Sequence, residues 1–263
     1  MRFSQVLDSL ALQNGVWSAA VPVDWMQGRS VFGGLQSALA LRAMRALVPA
    51  DFPLRALQTT FVAPVSGTVA LSAQVLRTGK SVVHAEARIT DGGQTAAIVI
   101  GVFGRARASQ VEVIARPLDV NVLESPVEAP FIPGVSPSFV QHFKMRWLSG
   151  ALPFTGSRVV PPRATFEVGI DDPAPANEAH VVAIADSIPP LALSMLTAFA
   201  PGSSVTWTLE LLTERFDALA LAGWRVHAEL RAGRDGYTSQ SAVVCGPGGR
   251  AIALSQQTMM VFG

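Results

Sequence analysis

The side chains most able to do chemistry lie in the second half of the chain, and one backbone feature in the first half matches them. Asp186 opens an apolar stretch, Ala185–Leu196, that reads as a buried helix. There it can serve as an N-cap accepting a backbone N–H, or as a base that takes a proton from water. Ser204 follows Pro201-Gly202-Ser203 at the start of a strand, as a turn hydroxyl or as a group that fixes a bound water, with Ser203 one step away. Along Ala251–Phe262, Gln256 shares a face with Ile252, Leu254, Thr258 and Met260. If that face is buried, its amide needs a partner, because an unsatisfied buried amide costs roughly 1–3 kcal/mol. Gln257 on the other face is the alternative. In the first half, Gly33-Gly34 heads an apolar helix, where a ligand or another backbone can come close and free N–H groups can meet a carbonyl or a developing oxyanion.

Other chemistries lack their residues. There is one cysteine, Cys245, so there is no internal disulfide and no cysteine-rich zinc site. The histidines His84, His142, His180 and His227 are scattered without metal-ligand spacing, and His84 and His227 fall on polar strand faces that read as solvent-exposed. No Gly-x-Ser-x-Gly elbow surrounds Ser204. Arg77, Lys80, Arg231 and Arg234 flank turns, either solvated or facing phosphates.

The elements that must position these groups follow from pattern. The chain has 263 residues, 49% apolar and 15% charged with a net charge of +1, which describes a well-buried globular protein without a nucleic-acid footprint. No signal peptide and no run long enough to span a bilayer is seen, so a cytoplasmic location is expected. A short helix over Ser4–Leu12 and a strand near Val16–Val21 precede the central helix, Gly33 to Leu47, which is apolar on most faces and therefore buried. Four strand-like runs follow: Leu54–Val62, Val69–Leu76, Ser81–Thr90 and Gln94–Phe103. Between Ala106 and Pro137 prolines accumulate and periodicity fades. The second half gives strands near Phe139–Trp147 and Arg163–Ile170 and a helical stretch from Asn177 through Ala185. The apolar helix starting at Ala185 comes next, then strands over Ser204–Leu212, Gly223–Arg231, Tyr237–Val244 and Ala251–Phe262. The order of helix then strands occurs twice. Leu76-Arg77-Thr78-Gly79-Lys80 is answered by Leu230-Arg231-Ala232-Gly233-Arg234, and Val102-Phe103-Gly104 by Val261-Phe262-Gly263. This predicts an α+β protein with a helix-and-sheet unit over 1–106, a proline-rich linker over 107–136, and a second unit over 137–263.

Arg29-Ser30-Val31-Phe32-Gly33-Gly34 running into an apolar helix, Leu54 through Pro64, and Leu76–Gly79 resemble the type II (TesB-like) acyl-CoA thioesterases. Asp186 before Pro189-Pro190, then Ser204, then Gln256, resemble that family's catalytic Asp, Ser/Thr and Gln in order and spacing. The resemblance implies a double hotdog, in which two long antiparallel sheets each wrap a central helix and join into one. It implies hydrolysis of a fatty acyl-CoA to free acid and CoA, with Asp186, Ser204 and Gln256 around a water and Phe32, Gly33, Gly34 and Gln58 placing the substrate. No metal and no cofactor are implied, and a homo-oligomer is expected. The competing reading is an acyl-CoA or acyl-chain binding protein without catalysis. A hotdog hydratase would need a histidine that has no counterpart beside Asp186.

Overall fold

The computed structural model describes residues 1–116 and 125–262. Pro117 of the expected linker and Gly263 of the expected repeat lie outside the described residues. The first half runs α1 (Phe3–Asp8), β1 (Ala11–Gln13), β2 (Val16–Ala20), β3 (Met26–Gln27), β4 (Ser30–Val31), α2 (Gly33–Arg45), β5 (Leu54–Phe61), β6 (Thr68–Thr78), β7 (Val82–Asp91) and β8 (Gln94–Gly104). The second runs β9 (Val127–Glu128), β10 (Phe143–Ser149), β11 (Arg163–Ile170), α3 (Glu178–Asp186), β12 (Gly202–Leu211), β13 (Trp224–Arg234), β14 (Tyr237–Cys245) and β15 (Ala251–Val261).

Thirteen strands form one sheet in the order β1-β2-β6-β7-β8-β5-β12-β15-β14-β13-β11-β10-β9. The halves join where β5 pairs antiparallel with β12, setting Leu57 opposite Leu209, Thr59 opposite Trp207 and Thr60 opposite Thr206. One helix from each half lies on the inner face, so the expected double hotdog is the fold. The alternating strands bury one set of side chains against the helices: Leu57 and Thr59, Trp207 and Leu209, Val226 and Ala228.

Helix α2 is buried along nearly its whole length, which matches its lack of a polar face. Its two inward polar residues bond within the core, although the Gln36 amide oxygen has no partner. The Ser37 hydroxyl bonds the Thr59 hydroxyl at 3.0 Å, and the Gln36 amide donates to the Val31 carbonyl at 2.6 Å. Close packing against α3 depends on Gly34. A methyl there would come within 2.7 Å of the Phe32 ring and 3.2 Å of the Ala183 backbone.

The helical stretch expected from Asn177 forms as α3: the Asn177 side chain caps the N–H groups of Ala179 and His180, and the helix ends at Asp186. The further apolar helix expected from Ala185 does not form. Residues 187–196 hold only a single 3-10 turn, Leu191–Met195. Pro189-Pro190 withdraws two N–H donors and disfavours helical geometry at the residue before, so the run from Ala185 cannot continue as an α-helix. Asp186 is therefore the last residue of a helix and not its cap. Ser138–His142 is likewise a 3-10 turn, so the strand expected from Phe139 begins only at Phe143.

Candidate active site

Helices α2 and α3 pack so that the start of α2 meets the end of α3. The residue before α2, Phe32, offers no side-chain cap. In place of a cap, the Asp186 carboxyl of the other half faces the Gly34 N–H, which favours its anion. Gly33 makes the approach possible. A methyl on Gly33 would lie 2.8 Å from Asp186 Oδ2 and 3.0 Å from the tip of the Phe61 ring, so both groups pack directly over Gly33.

A third element closes on the carboxylate. Gln257 of β15 is 4% exposed and donates from Nε2 to Asp186 Oδ1 at 2.5 Å. Burial is the largest influence on Asp186 and pushes its carboxyl up to about 7; the bonds from Gln257 and Gly34 pull the other way without prevailing. The α3 terminus disfavours the anion while the α2 terminus favours it, so the helix fields oppose one another. The result is a carboxyl that exchanges protons near neutral pH, held by Gln257 and facing the Gly34 N–H.

This geometry corrects the expectation for Gln256. Gln256 is exposed and donates to the Ser239 hydroxyl at 2.6 Å on the outer face of the sheet. The inner face of β15 carries Ala251, Ala253, Ser255, Gln257 and Met259. Helix α3 packs over this strand, and close packing calls for small residues there. The bulkier Leu254 therefore lies outward, and the face holding more hydrocarbon is the wrong guide. Trp207 stands opposite Gln257 and donates its indole N–H to the Ser255 hydroxyl at 2.9 Å, fixing this part of the inner face.

The other expected residues divide. Ser204 is half-buried on β12, opposite Met259, two positions along from the Gln257 row and beside a bulge that ends at Thr206. Its hydroxyl makes no hydrogen bond to Asp186 or Gln257. Phe32 is fully buried and stacks on Phe139 at 4.1 Å, so it supports the start of α2 from within the core. Gln58 is exposed on the outer face between Thr208 and Ile100, because alternation along β5 puts Thr59 inward instead. Phe61 is the contributor that the sequence left unmarked; its place as last residue of β5, two steps on from inward Thr59, is the signal that could have found it.

His227 is also corrected. It is buried, shares a hydrogen bond with Thr165 at 3.2 Å, and is held below the usual histidine range by burial. His84 is half-buried. Among the described residues, no cluster of His, Cys, Asp and Glu has the makings of a metal site, and no helix is long and apolar enough to cross a membrane.

The opposite ends of the same helix pair are closed by an ion pair. Arg45 near the end of α2 bonds both carboxylate oxygens of Glu178 at the start of α3, at 2.5 and 2.6 Å, and also the Phe52 carbonyl at 2.7 Å. Only one end of the pair thus presents a protonatable carboxyl to a glycine-headed helix.

A search of curated proteins by sequence found no match. Among solved structures, a conserved protein of unknown function with a hot dog fold from Alicyclobacillus acidocaldarius aligns with 99% of this chain and 98% of its own, at 20% identity and a TM-score of 0.86. A tesB protein from Mycobacterium avium subspecies paratuberculosis covers the same shares at 13% identity and a TM-score of 0.76. The acyl-CoA thioesterase II TesB2 from Mycobacterium marinum does so at 14% identity and a TM-score of 0.72. At such identities these likenesses establish the fold. The family profile for the acyl-CoA thioesterase N-terminal domain matches residues 21–104, and that for the C-terminal domain matches residues 123–261. Both profiles fit one chain in order, and the chain belongs to the acyl-CoA thioesterase family, with the TesB-like double-hotdog fold.

Proposed function

We propose that the protein hydrolyses an acyl-CoA thioester with Asp186 as general base. The observation that carries this reading is the Gln257–Asp186–Gly34 contact set around a carboxyl whose pKa is near 7. A base is most effective when its pKa lies close to the working pH. In the proposed step, a water admitted beside Asp186 with the substrate loses a proton to it as its oxygen bonds to the thioester carbonyl carbon. The carbonyl oxygen becomes an oxyanion, and the Gly33 N–H, which no backbone carbonyl takes, is placed to stabilise it. Collapse of the adduct breaks the C–S bond, and the thiolate of CoA recovers the proton from Asp186. Gln257 orients the carboxylate throughout, and Ser204 is assigned to the same water from the neighbouring strand.

The direct test is release of free thiol from a panel of acyl-CoAs of differing chain length. Hydrolysis of at least one member, lost in Asp186→Asn, is the expected result. Acyl-CoA binding with no turnover by the wild type would instead support a non-catalytic acyl-binding protein.

A further inference from the structure

The seam between the halves has a second opening, at the far ends of the strands from Asp186. Phe61, which flanks Asp186, closes β5, whereas Arg55 lies near the beginning of that strand. Arg55 and the loop after β12 line an open surface cleft of about 290 Å³, together with Arg250 from the turn before β15. This is the lower end of the size range for small-ligand pockets.

Its lining is cationic. Arg55, Arg215 and Arg250 contribute three guanidiniums, and Glu214 contributes one carboxylate, in a chain whose overall net charge is only +1. Arg55 is held in place, donating from Nε to the Gly104 carbonyl at 2.8 Å and from a terminal nitrogen to Glu214 at 3.1 Å. Arg215 and Arg250 are exposed and form no ion pair among the described residues. Thr213 adds a hydroxyl. Its oxygen accepts the Arg215 backbone N–H at 3.2 Å, which fixes the loop and leaves the hydroxyl hydrogen free to donate.

We propose that this pocket binds the phosphate group of a small phosphorylated metabolite, at a site separate from the thioester centre. Guanidiniums arriving from three segments suit a tetrahedral anion with several acceptor oxygens. A net excess of two positive charges balances a phosphate dianion, whereas a monocarboxylate would leave charge unmatched. The ligand would touch both halves of the chain, since Arg55 belongs to the first and Thr213, Arg215 and Arg250 to the second.

Calorimetric titration of the full-length protein with inorganic phosphate at low ionic strength tests this, with acetate as the carboxylate control. The expected result is saturable phosphate binding that weakens as salt rises, roughly 10- to 100-fold weaker in Arg215→Ala/Arg250→Ala. Gln257→Ala should bind phosphate as the wild type does. Both arginines are exposed, so the unfolding temperature of the double variant without anion should match the wild type. Should the double variant fold poorly, Arg250→Ala alone gives a smaller loss in the same direction. Absence of saturable binding, equal binding of acetate, unchanged affinity in the arginine variants, or loss of binding in Gln257→Ala would each overturn the proposal.

Discussion

Replacing Asp186 with asparagine should make the protein more stable and less active, and the stability gain should depend on pH. The folded protein holds the Asp186 carboxyl at about 7 instead of 3.8. At about 1.4 kcal/mol per pH unit, that displacement is worth at most about 4 kcal/mol. The direction follows from proton counting. Between pH 3.8 and 7 the unfolded chain has released this proton while the folded chain retains it. Stability therefore falls as pH rises through that window and levels off above it, once both states are ionised. Asparagine keeps the size of the side chain and an oxygen for the Gly34 N–H, and Gln257 can turn its amide to accept. It has no proton to lose. Urea unfolding of wild type and Asp186→Asn, followed by tryptophan fluorescence, should give nearly equal stabilities close to pH 4. At pH 8 the gap should favour the variant by up to about 4 kcal/mol. The same substitution should lower kcat/KM by on the order of 10²–10⁴-fold, and wild-type kcat/KM should climb up to about pH 7 and then flatten. A stability gap that stays constant from pH 4 to 8 would refute the claim that burial of this carboxyl opposes its ionisation.

Three further outcomes test the geometry. Gln257→Ala should reduce kcat by roughly 10- to 100-fold, while Gln256→Ala, on the outer face, should stay near wild type in the same thiol-release assay. Gly33→Ala would drive a methyl into Asp186 Oδ2 and the Phe61 ring; the protein should remain folded by circular dichroism yet lose most activity. Arg45→Ala should destabilise by about 2–3 kcal/mol in urea unfolding, because it leaves Glu178 without its partner, and pairing it with Glu178→Gln should recover part of the loss.

Much of the architecture is legible in the residues themselves. The all-round apolar character of 33–47 marks the central helix, and the repeated order of helix and strands marks the duplication. What escaped is instructive in physical terms. Gln257 stands second to Gln256 in the sequence because helix α3 demands small side chains on the inner face of β15, so the alternation of alanine and serine, and not of leucine and isoleucine, traces the buried side. Asp186 was placed at the wrong end of its helix because composition runs smoothly across 177–196, while the backbone is cut by two prolines. Gln58 failed for a simpler reason: Thr59, the smaller neighbour, satisfies a hydroxyl on α2 and so turns inward. For the two glutamines the register is decided by a partner distant in sequence.

The ion pair between Arg45 and Glu178 shows what joining the two halves permits. A symmetric assembly of identical single units must present the same residues at both ends of its helix pair, and every mutation acts twice. Covalent fusion lifts that restriction. Here one junction is left to stiffen the scaffold, and its twin is free to carry an acid that the scaffold alone would never favour.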